Sequence, residues 1–473
     1  MRNLADLNAF GSSYALLPDV VMLPDGPARD TAVFVEDGSI IAVRKVEAGD
    51  ESLRPLCRLA GVALVPGILD IHHHIIEPFA KALTGGEPAQ LWKRFWLPLE
   101  AASTPESVFV GAKWTFLEAL RGGITTIVDH GIRSFEIADA IHRAADETGI
   151  RLVSSTGAYD LKNFSTAANT PKADGTVDEA LKIAERHVTE CRSFSRIYPS
   201  LACGTVQSNS QDMIKALSAF CKDQDILFQI HANEHTLEVH QSIECFGRRP
   251  LELLYDIGAL GRTTLIAHAT LVTSHETQLL RETATAIAYC PVASMWKGNA
   301  VAPVLDYFAN GIRVGLGTDA TRNDGFRMID AAEAAQRIAY GMPRDDFSCG
   351  AGWRWFDAAT RAGADAALLG TITGSIAPGY RADFLLLNCR GPEVLPLWDF
   401  AWELVRFYDR ADVIATFVDG EAVLVNGEPT RFDGEAFISH ALPEGIQAIH
   451  DAQLLRLHGE SNLYQNQPLG HYR

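Results

Sequence analysis

Repeated alternation of short apolar strands with amphipathic helices is the feature that most restricts how this chain of 473 residues can fold. The pattern runs from about residue 62 to residue 320. Eight strand-helix units in series predict a (β/α)8 barrel of the TIM type with right-handed crossovers, in preference to an open doubly wound sheet. The predicted strands are Val62–Leu69, Ile124–His130, Arg151–Tyr159, Arg196–Cys203, Ile226–His231, Thr264–His268, Ala284–Cys290 and Ile312–Thr318.

Three consecutive histidines, His72 to His74, follow the first predicted strand. Alternate side chains of a strand share a face, so we expect His72 and His74 to converge while His73 points away. Two neutral imidazoles on one face suit a first-row divalent metal, zinc before others. A solvated histidine run is the alternative, but such runs occur at termini or in polar tracts, whereas this one ends an apolar strand.

The ends of three further strands carry residues that bind metals or move protons. Catalytic groups of such barrels lie at the carboxyl ends of the strands. Strand five ends at His231 with Glu234 three residues beyond, strand six ends at His268, and Asp319 follows strand eight. The predicted metal ligands are therefore His72, His74, His231 and Asp319.

The same positions predict hydrolytic chemistry. A bound metal with room for water lowers the pKa of that water from about 15.7 towards 7. Glu234 can then act as the proton shuttle, and Asp319 can accept the proton of the water as well as bind the metal. His268 can orient the hydroxide or stabilise the developing charge. Glu234, His268 and Asp319 are the predicted catalytic residues.

Motifs along nearly the whole chain resemble those of the amidohydrolase superfamily, in its mononuclear deaminase and chlorohydrolase branch, which includes guanine deaminase, pterin deaminase and triazine hydrolases. The resemblance rests on Pro66-Gly67 with His72-x-His74, His231-x-x-Glu234, Gly247-Arg248-Arg249-Pro250 to Leu260-Gly261, Ile266-Ala267-His268, Cys290-Pro291, Val314 to Asp319, and Gly374-Ser375-Ile376 to Gly379-Tyr380-Arg381-Ala382-Asp383. It implies hydrolytic removal of an amino group from a purine, pterin, pyrimidine or triazine.

The resemblance also implies the metal count. Dinuclear members of the superfamily carry a carboxylated lysine at the end of strand four, where this chain has Leu201-Ala202-Cys203-Gly204. One metal per chain is therefore expected, zinc with iron as the alternative. Two departures from the family pattern favour a free base or other compact ring over a nucleoside. Val292-Ala293 replaces a Ser-Asn pair after Cys290-Pro291, and no histidine follows strand four.

Two alternatives to ammonia release stay open at this point. The same metal site could release chloride, an alkylamine or an aryl-amide nitrogen in place of ammonia. A non-catalytic barrel scaffold is the alternative of another class, although every expected ligand position is filled. The suggested substrate contacts are Trp92, Trp96, Trp296 and Asn323. The neighbouring His235 and His240 read as solvated surface residues, and Asp129-His130 as either pocket lining or a structural pair.

The flanks of the barrel pattern read as short strands and turns. We expect residues 1–62 and 374–432 to form one small β-sandwich domain beside a barrel of residues 63–373, with 433–473 as a helical tail. Predicted strands of the second flank include Gly379–Ala382.

Charge and composition limit the partners. A net charge of −18, from 41 basic and 59 acidic residues, argues against nucleic acid. The sequence has neither an apolar run long enough for a bilayer nor a secretory signal at Met1–Asp6. Its eight cysteines stand singly, as in a reduced cytoplasm. We therefore expect a cytoplasmic protein, and the family resemblance implies a homo-oligomer.

Overall fold

The computed structural model describes residues 11–75, 79–84, 87, 91–131, 134–157, 160, 176–297, 299–348 and 352–457. Its strands are β1 Ser13–Leu23, β2 Gly26–Ala28, β3 Ala32–Glu36, β4 Ser39–Arg44, β5 Leu56–Pro66, β6 Ile68–His73, β7 Ile124–Asp129, β8 Arg151–Gly157, β9 Ile197–Cys203, β10 Leu227–Ala232, β11 Thr264–His268, β12 Ala286–Tyr289, β13 Arg313–Leu316, β14 Phe384–Asn388, β15 Val413–Val418, β16 Glu421–Val425 and β17 Glu428–Pro429.

The α-helices are α1 Asp50–Leu53, α2 Leu97–Ala102, α3 Pro105–Arg121, α4 Phe135–Thr148, α5 Val177–Cys191, α6 Gln211–Gln224, α7 Thr236–Phe246, α8 Pro250–Asp256, α9 Ser274–Thr283, α10 Pro291–Lys297, α11 Val304–Ala309, α12 Gly325–Gln336, α13 Arg354–Ala358, α14 Arg361–Ala366, α15 Phe400–Arg406 and α16 Gly434–Asp451. Short 3-10 segments lie at Lys81–Thr84, Met342–Arg344 and Arg410–Asp412, and π-helical turns at Trp92–Trp96 and Arg337–Gly341. Within the described residues, no helix is long and apolar enough to cross a bilayer.

Strands β6 to β13 form an eight-stranded parallel sheet in which each strand pairs with the next one in sequence. The amide of Asp319, just past β13, donates a hydrogen bond of 2.9 Å to the carbonyl of His72 in β6. The last strand therefore returns to the first, and the predicted (β/α)8 barrel is confirmed. The final two residues of the predicted third strand, Tyr159 and its neighbour Ala158, lie outside the described residues.

Local sequence explains the regularity of the barrel. All residues of β7 and β11 are buried, as expected for parallel strands covered on both faces. The helices that follow begin at residues whose side chains accept a backbone N–H of the first turn, such as Ser134 before α4 and Ser210 before α6. Helix α3 begins at Pro105, because Thr104 caps it and proline suits the first helical position.

The two flanks of the chain meet in one nine-stranded mixed sheet with the order β17-β16-β15-β14-β5-β1-β3-β4, and β2 pairs with β1. Strand β5 joins them, since it is parallel to β1 and antiparallel to β14. The predicted strand Gly379–Ala382 is wrong. Gly379 has a φ of +92° in a turn, and only an isolated bridge from Arg381 to Ser39 forms there.

A buried charge cluster joins this sheet to the barrel. Arg151, the first residue of β8, is fully buried and donates to both carboxylate oxygens of Asp383 at 2.7 and 2.9 Å. It also donates to Asp419 at 2.6 Å. The guanidinium is thus paired with two carboxylates, which offsets the cost of burying its charge. This cluster lies at the amino ends of the barrel strands and leaves their carboxyl ends accessible for a site.

Candidate active site

The structure brings the four predicted metal ligands together at the carboxyl ends of the barrel strands. Ring centroids of His72 and His74 are 5.0 Å apart, and that of His231 lies 4.9 Å from His72. Asp319 Oδ1 lies 3.6 Å from His72 Nε2 and 3.3 Å from His74 Nε2. One nitrogen from each of the three histidines falls within 4.8 Å of the others. The same holds for one ligand atom each of His72, His268 and Asp319.

Several of these atoms are buried without a hydrogen-bond partner among the described residues. They are His72 Nε2, Asp319 Oδ1 and both ring nitrogens of His268. A buried polar atom left unpaired costs about 1–3 kcal/mol, so a convergent group of them calls for a further ligand. Imidazoles with one carboxylate are the donor set of a divalent ion such as zinc. The residues present therefore fit a metal ion.

The protonation state of the imidazoles agrees with this role. His231 Nδ1 donates to the carbonyl of Gly204 at 3.0 Å, which leaves the lone pair of Nε2 directed at the cluster. Burial lowers the pKa of His74 to about 3 and the pKa of His231 to about 4. Both rings are consequently neutral near pH 7, the form that binds metals.

The backbone adopts unusual conformations where the site residues leave their strands. Asn233, His268 and Asp319 have φ angles of +56°, +71° and +52°. Non-glycine residues in this left-handed region are uncommon, and they cluster at functional sites. Gly317 has a related role, because a Cβ there would lie 2.8 Å from the Cβ of His72. The close approach of β13 to β6 that delivers Asp319 thus requires glycine at this position.

Glu234 lies beside the metal-ligand cluster with one oxygen at the centre of three contacts. Its Oε1 is 3.5 Å from His268 Nε2 and 3.2 Å from His235 Nε2, and it accepts a hydrogen bond of 2.8 Å from Asn299 Nδ2. Burial opposes ionisation of this carboxyl, but the charges of His268 and His235 outweigh it and lower its pKa well below the usual value. Glu234 can therefore accept a proton at neutral pH.

A second carboxyl fixes the turn that carries Glu234. The Glu238 side chain accepts the backbone N–H groups of Asn233 and Glu234 at 3.2 and 2.8 Å. Burial raises the pKa of Glu238 to about 7. The side-chain amide of Asn233 donates to the carbonyl of Leu271 at 2.9 Å and to Glu276 Oε1 at 2.8 Å. The end of β10 is thus tied to the segment after β11, and this aligns Glu234 with His268.

His73 points away from the metal-ligand cluster, as the strand alternation predicts. Its Nδ1 lies 3.0 Å from Asp70 Oδ2 and 3.0 Å from Thr318 Oγ1. Asp70 also accepts the backbone N–H and the hydroxyl of Thr318. This network joins β6 to the residue just before Asp319, so it supports the site from behind.

Sequence reasoning missed three side chains that reach the site. Lys297, the last residue of α10, binds Asp319 Oδ2, and Asn299 binds Glu234. His235, read from sequence as a surface residue, contacts Glu234, whereas His240 is exposed as expected and lies 3.2 Å from Glu244. His130 adds a further ring, with its centroid 4.3 Å from that of His231. No local pattern distinguishes Lys297 or Asn299, because their contacts depend on how the chain continues after β12.

The suggested substrate contacts fall in different places. Trp296 adjoins Lys297 and is 44% exposed. Trp92 and Trp96 lie on a π-helical turn, and Trp96 packs on a cluster with Leu99 and Ala452. The structure does not bring Asn323 to the site, since its amide donates to Glu118 of α3 at 3.1 Å.

The chain is similar to known proteins along most of its length. The family model named Amidohydrolase family matches residues 63–423. A 5-methylthioadenosine/S-adenosylhomocysteine deaminase from Nitratidesulfovibrio vulgaris is 30% identical over 415 residues, which cover 87% of this chain and 91% of the relative. A 5'-deoxyadenosine deaminase from Methanothermobacter thermautotrophicus is 28% identical, over 86% of this chain and 92% of that one.

Solved structures share the fold. A zinc-bound adenosine deaminase from Xanthomonas campestris has a TM-score of 0.82 at 24% identity, covering 92% of this chain and 98% of that one. A zinc-bound atrazine chlorohydrolase from Arthrobacter aurescens has a TM-score of 0.84 at 21% identity, covering 91% and 100%. The chain belongs to the amidohydrolase family. It is a hydrolase, as its motifs predict, and its relatives at up to 30% identity are named deaminases.

Proposed function

We propose that the protein is a zinc-dependent aminohydrolase that removes an amino group from a heterocycle and releases ammonia. The observation that carries the proposal is the convergence of unpaired, buried ligand atoms on His72, His268 and Asp319, with the carboxylate of Glu234 3.5 Å from His268. The metal would be held by His72, His74, His231 and Asp319.

A divalent ion bound there would act as a Lewis acid and lower the pKa of water from about 15.7 to about 7. Glu234, which is ionised before the reaction, would take one proton from the attacking water and pass it to the ring nitrogen next to the amine-bearing carbon, which makes the ring a better electrophile. Asp319 would accept the second proton of the water and pass it to the departing amine. His268 orients the attacking oxygen and stabilises charge that develops on it.

The preferred substrate is a compact ring, in preference to a nucleoside. The two relatives above are named for nucleoside-type substrates. This chain, however, has Cys203-Gly204-Thr205-Val206-Gln207 at the end of β9, a segment in which many nucleoside-acting members have a histidine. It also has Val292-Ala293 after Cys290-Pro291. Chloride or an amine could leave from the same site, but a carboxylate poised to protonate a ring nitrogen matters most when the leaving group is an amine.

Ammonia release tests the proposal. Metal-analysed protein is incubated with purines, pterins, pyrimidines, triazines and their nucleosides, before and after treatment with a chelator. We expect release from one class of free base, lost with the metal and regained with zinc. Release of only chloride or an alkylamine would show that the leaving group is not ammonia. A protein that takes up no metal would contradict the assigned ligands.

The variant Glu234→Gln tests the assigned proton carrier. It keeps the size of the side chain and removes its ability to carry a proton, so turnover should fall by about 10²–10⁴. Metal content should be unchanged, because Glu234 is not among the proposed ligands. The matched control is Glu244→Gln, whose side chain is 65% exposed. Equal activity of the two variants would contradict the role of Glu234.

A further inference from the structure

The segment after β12 brings a positive charge and an amide to the two carboxylates of the site. Helix α10 begins two residues after β12 ends, and Lys297 at its end binds Asp319 Oδ2. Two positions further on, Asn299 donates to Glu234 Oε1 at 2.8 Å. The side chain of Lys297 is only 12% exposed, so its ammonium group is largely shielded from bulk water.

Lys297 shares its carboxylate with the proposed metal. Asp319 Oδ1 faces His72 and His74 at 3.6 and 3.3 Å, while Oδ2 faces the ammonium group. Burial opposes ionisation of Asp319, but the charge of Lys297 outweighs it and holds the pKa of Asp319 well below its usual value. A lysine placed in this way competes with a divalent cation for the same carboxylate. An ion pair with a purely structural role gains little from such a position.

Lys297 adds a positive charge beside the proposed metal ligands, because its ammonium group binds Asp319 Oδ2. A divalent ion with the two carboxylates Asp319 and Glu234 would be neutral overall. The ammonium of Lys297 makes that set positive by one charge.

The carboxyl of Glu238 is directed at the backbone N–H groups of Asn233 and Glu234. Asp70, on the other side, is paired with His73 and Thr318. His235 contacts Glu234, and Lys297 brings a positive charge to Asp319 from the segment after β12. A ring that enters here meets a cation and hydrogen-bond donors.

We propose that Lys297 selects the substrate, and that the protein acts on aminoheterocycles that carry an anionic oxygen, as an ionised ring-oxo group or a carboxylate. Asn299 supports the selection by holding Glu234 in place. The inference rests on the proposed function for the identity of the reaction, but the preference for an anion can be measured without turnover.

The test uses cobalt-substituted protein, whose visible spectrum reports ligands that enter the site. Acetate and acetamide serve as probes, since they are close in shape and differ in charge. We expect Lys297→Met to weaken acetate binding by about 10- to 100-fold, the worth of a hydrogen bond to a charged group, and to leave acetamide unchanged. Lys297→Arg should retain most of the acetate affinity. The control Lys222→Met removes an equal charge from the exposed end of α6 and should change neither.

Zinc affinity shows whether Lys297 selects the substrate or only holds Asp319 in place. Because Lys297 competes for Asp319, Lys297→Met should bind zinc as tightly as the parent protein or more tightly. A loss of zinc that Lys297→Arg restores would mean that the residue only holds Asp319 in place, and would overturn the proposal. Equal acetate binding by the parent and Lys297→Met proteins would overturn it as well.

Turnover separates this inference from the proposed function. Each aminoheterocycle is compared with its oxo-substituted or carboxylated counterpart, and the preference for the anionic member should fall in Lys297→Met. Ammonia release without that preference would overturn the inference and leave the aminohydrolase intact. Acetate binding that depends on Lys297, without ammonia release from any ring, would overturn the proposed function and leave the preference for an anion intact.

Discussion

Two clusters of buried histidines in this protein contain similar side chains and differ in how their polar atoms are satisfied. The first lies at the carboxyl ends of the barrel strands and contains His72, His74 and His231. The second lies on the outside of the barrel wall, where His142 of α4 meets His187 and Cys191 of α5. In each cluster the ligand-type atoms lie within 4.8 Å of one another.

Hydrogen bonding separates the two. In the outer cluster, His142 Nε2 lies 2.8 Å from Ser154 Oγ, and His187 Nε2 donates to the Ser154 carbonyl at 3.0 Å. Cys191 Sγ lies 3.8 and 3.5 Å from the same two nitrogens. In the barrel cluster, His72 Nε2 is equally buried and has no partner among the described residues. Close ligand atoms alone therefore do not define a metal site; lone pairs left without a donor do.

The largest difference should appear in metal binding. Leucine replaces a fully buried histidine in each cluster, as His72→Leu and His142→Leu. Loss of a residue that supports a metal ligand lowers metal affinity by roughly 10- to 100-fold. His72→Leu removes a ligand itself, so its zinc affinity should fall by more than that. His142→Leu should bind zinc as the parent does. Competition with a chromogenic chelator measures both. Loss of zinc in His142→Leu but not in His72→Leu would place the metal at the outer cluster.

Stability should respond in the opposite sense. In metal-free protein, His142→Leu removes a hydrogen bond and leaves Ser154 Oγ without this partner, which should cost about 1–3 kcal/mol. His72→Leu removes an unpaired nitrogen and should cost nothing or stabilise the protein. Urea unfolding of the two apoproteins gives the difference. A larger loss for His72→Leu than for His142→Leu would show that His72 has a structural partner after all.

Acid sensitivity should give the smallest effect. Burial lowers the pKa of His142 to about 4, below the value of about 6.5 for an exposed histidine. As the pH falls below about 6.5, the unfolded chain binds a proton that the folded chain does not, so stability is lost until about pH 4. Between about pH 7 and about pH 5, His142→Leu should lose about 1–2 kcal/mol less than the parent protein. An unchanged difference would mean that His142 has the same pKa in the folded and the unfolded states.

Sequence was informative where the signal is local. Strand β11 has its predicted bounds, Thr264–His268, because a short apolar run ends at a polar turn. The ends of β6, β10, β11 and β13 identified the site, since parallel strands of a barrel all end on one rim. The predicted strand Gly379–Ala382 failed because the positive φ of Gly379 makes a turn there, which apolar alternation does not reveal.

The remainder of the site depends on contacts between distant segments. Lys297 contacts Asp319 beyond the end of the neighbouring strand β13, and Asn299 contacts Glu234 beyond the end of β10, two strands away. No periodicity in the sequence predicts such contacts. The prediction that His235 is a surface residue was wrong. His235 precedes helix α7, and the sequence there does not show whether its side chain faces solvent or Glu234. Asn323, by contrast, follows Asp319 closely in sequence and still turns to Glu118.

Anomalous diffraction at the zinc absorption edge tests the central claim most directly, because it locates the metal without reference to activity. The account predicts one strong peak per chain, bounded by His72, His74, His231 and Asp319, with no peak beside His142, His187 and Cys191. A peak at the outer cluster, or none at the carboxyl ends of the strands in zinc-loaded crystals, would contradict it.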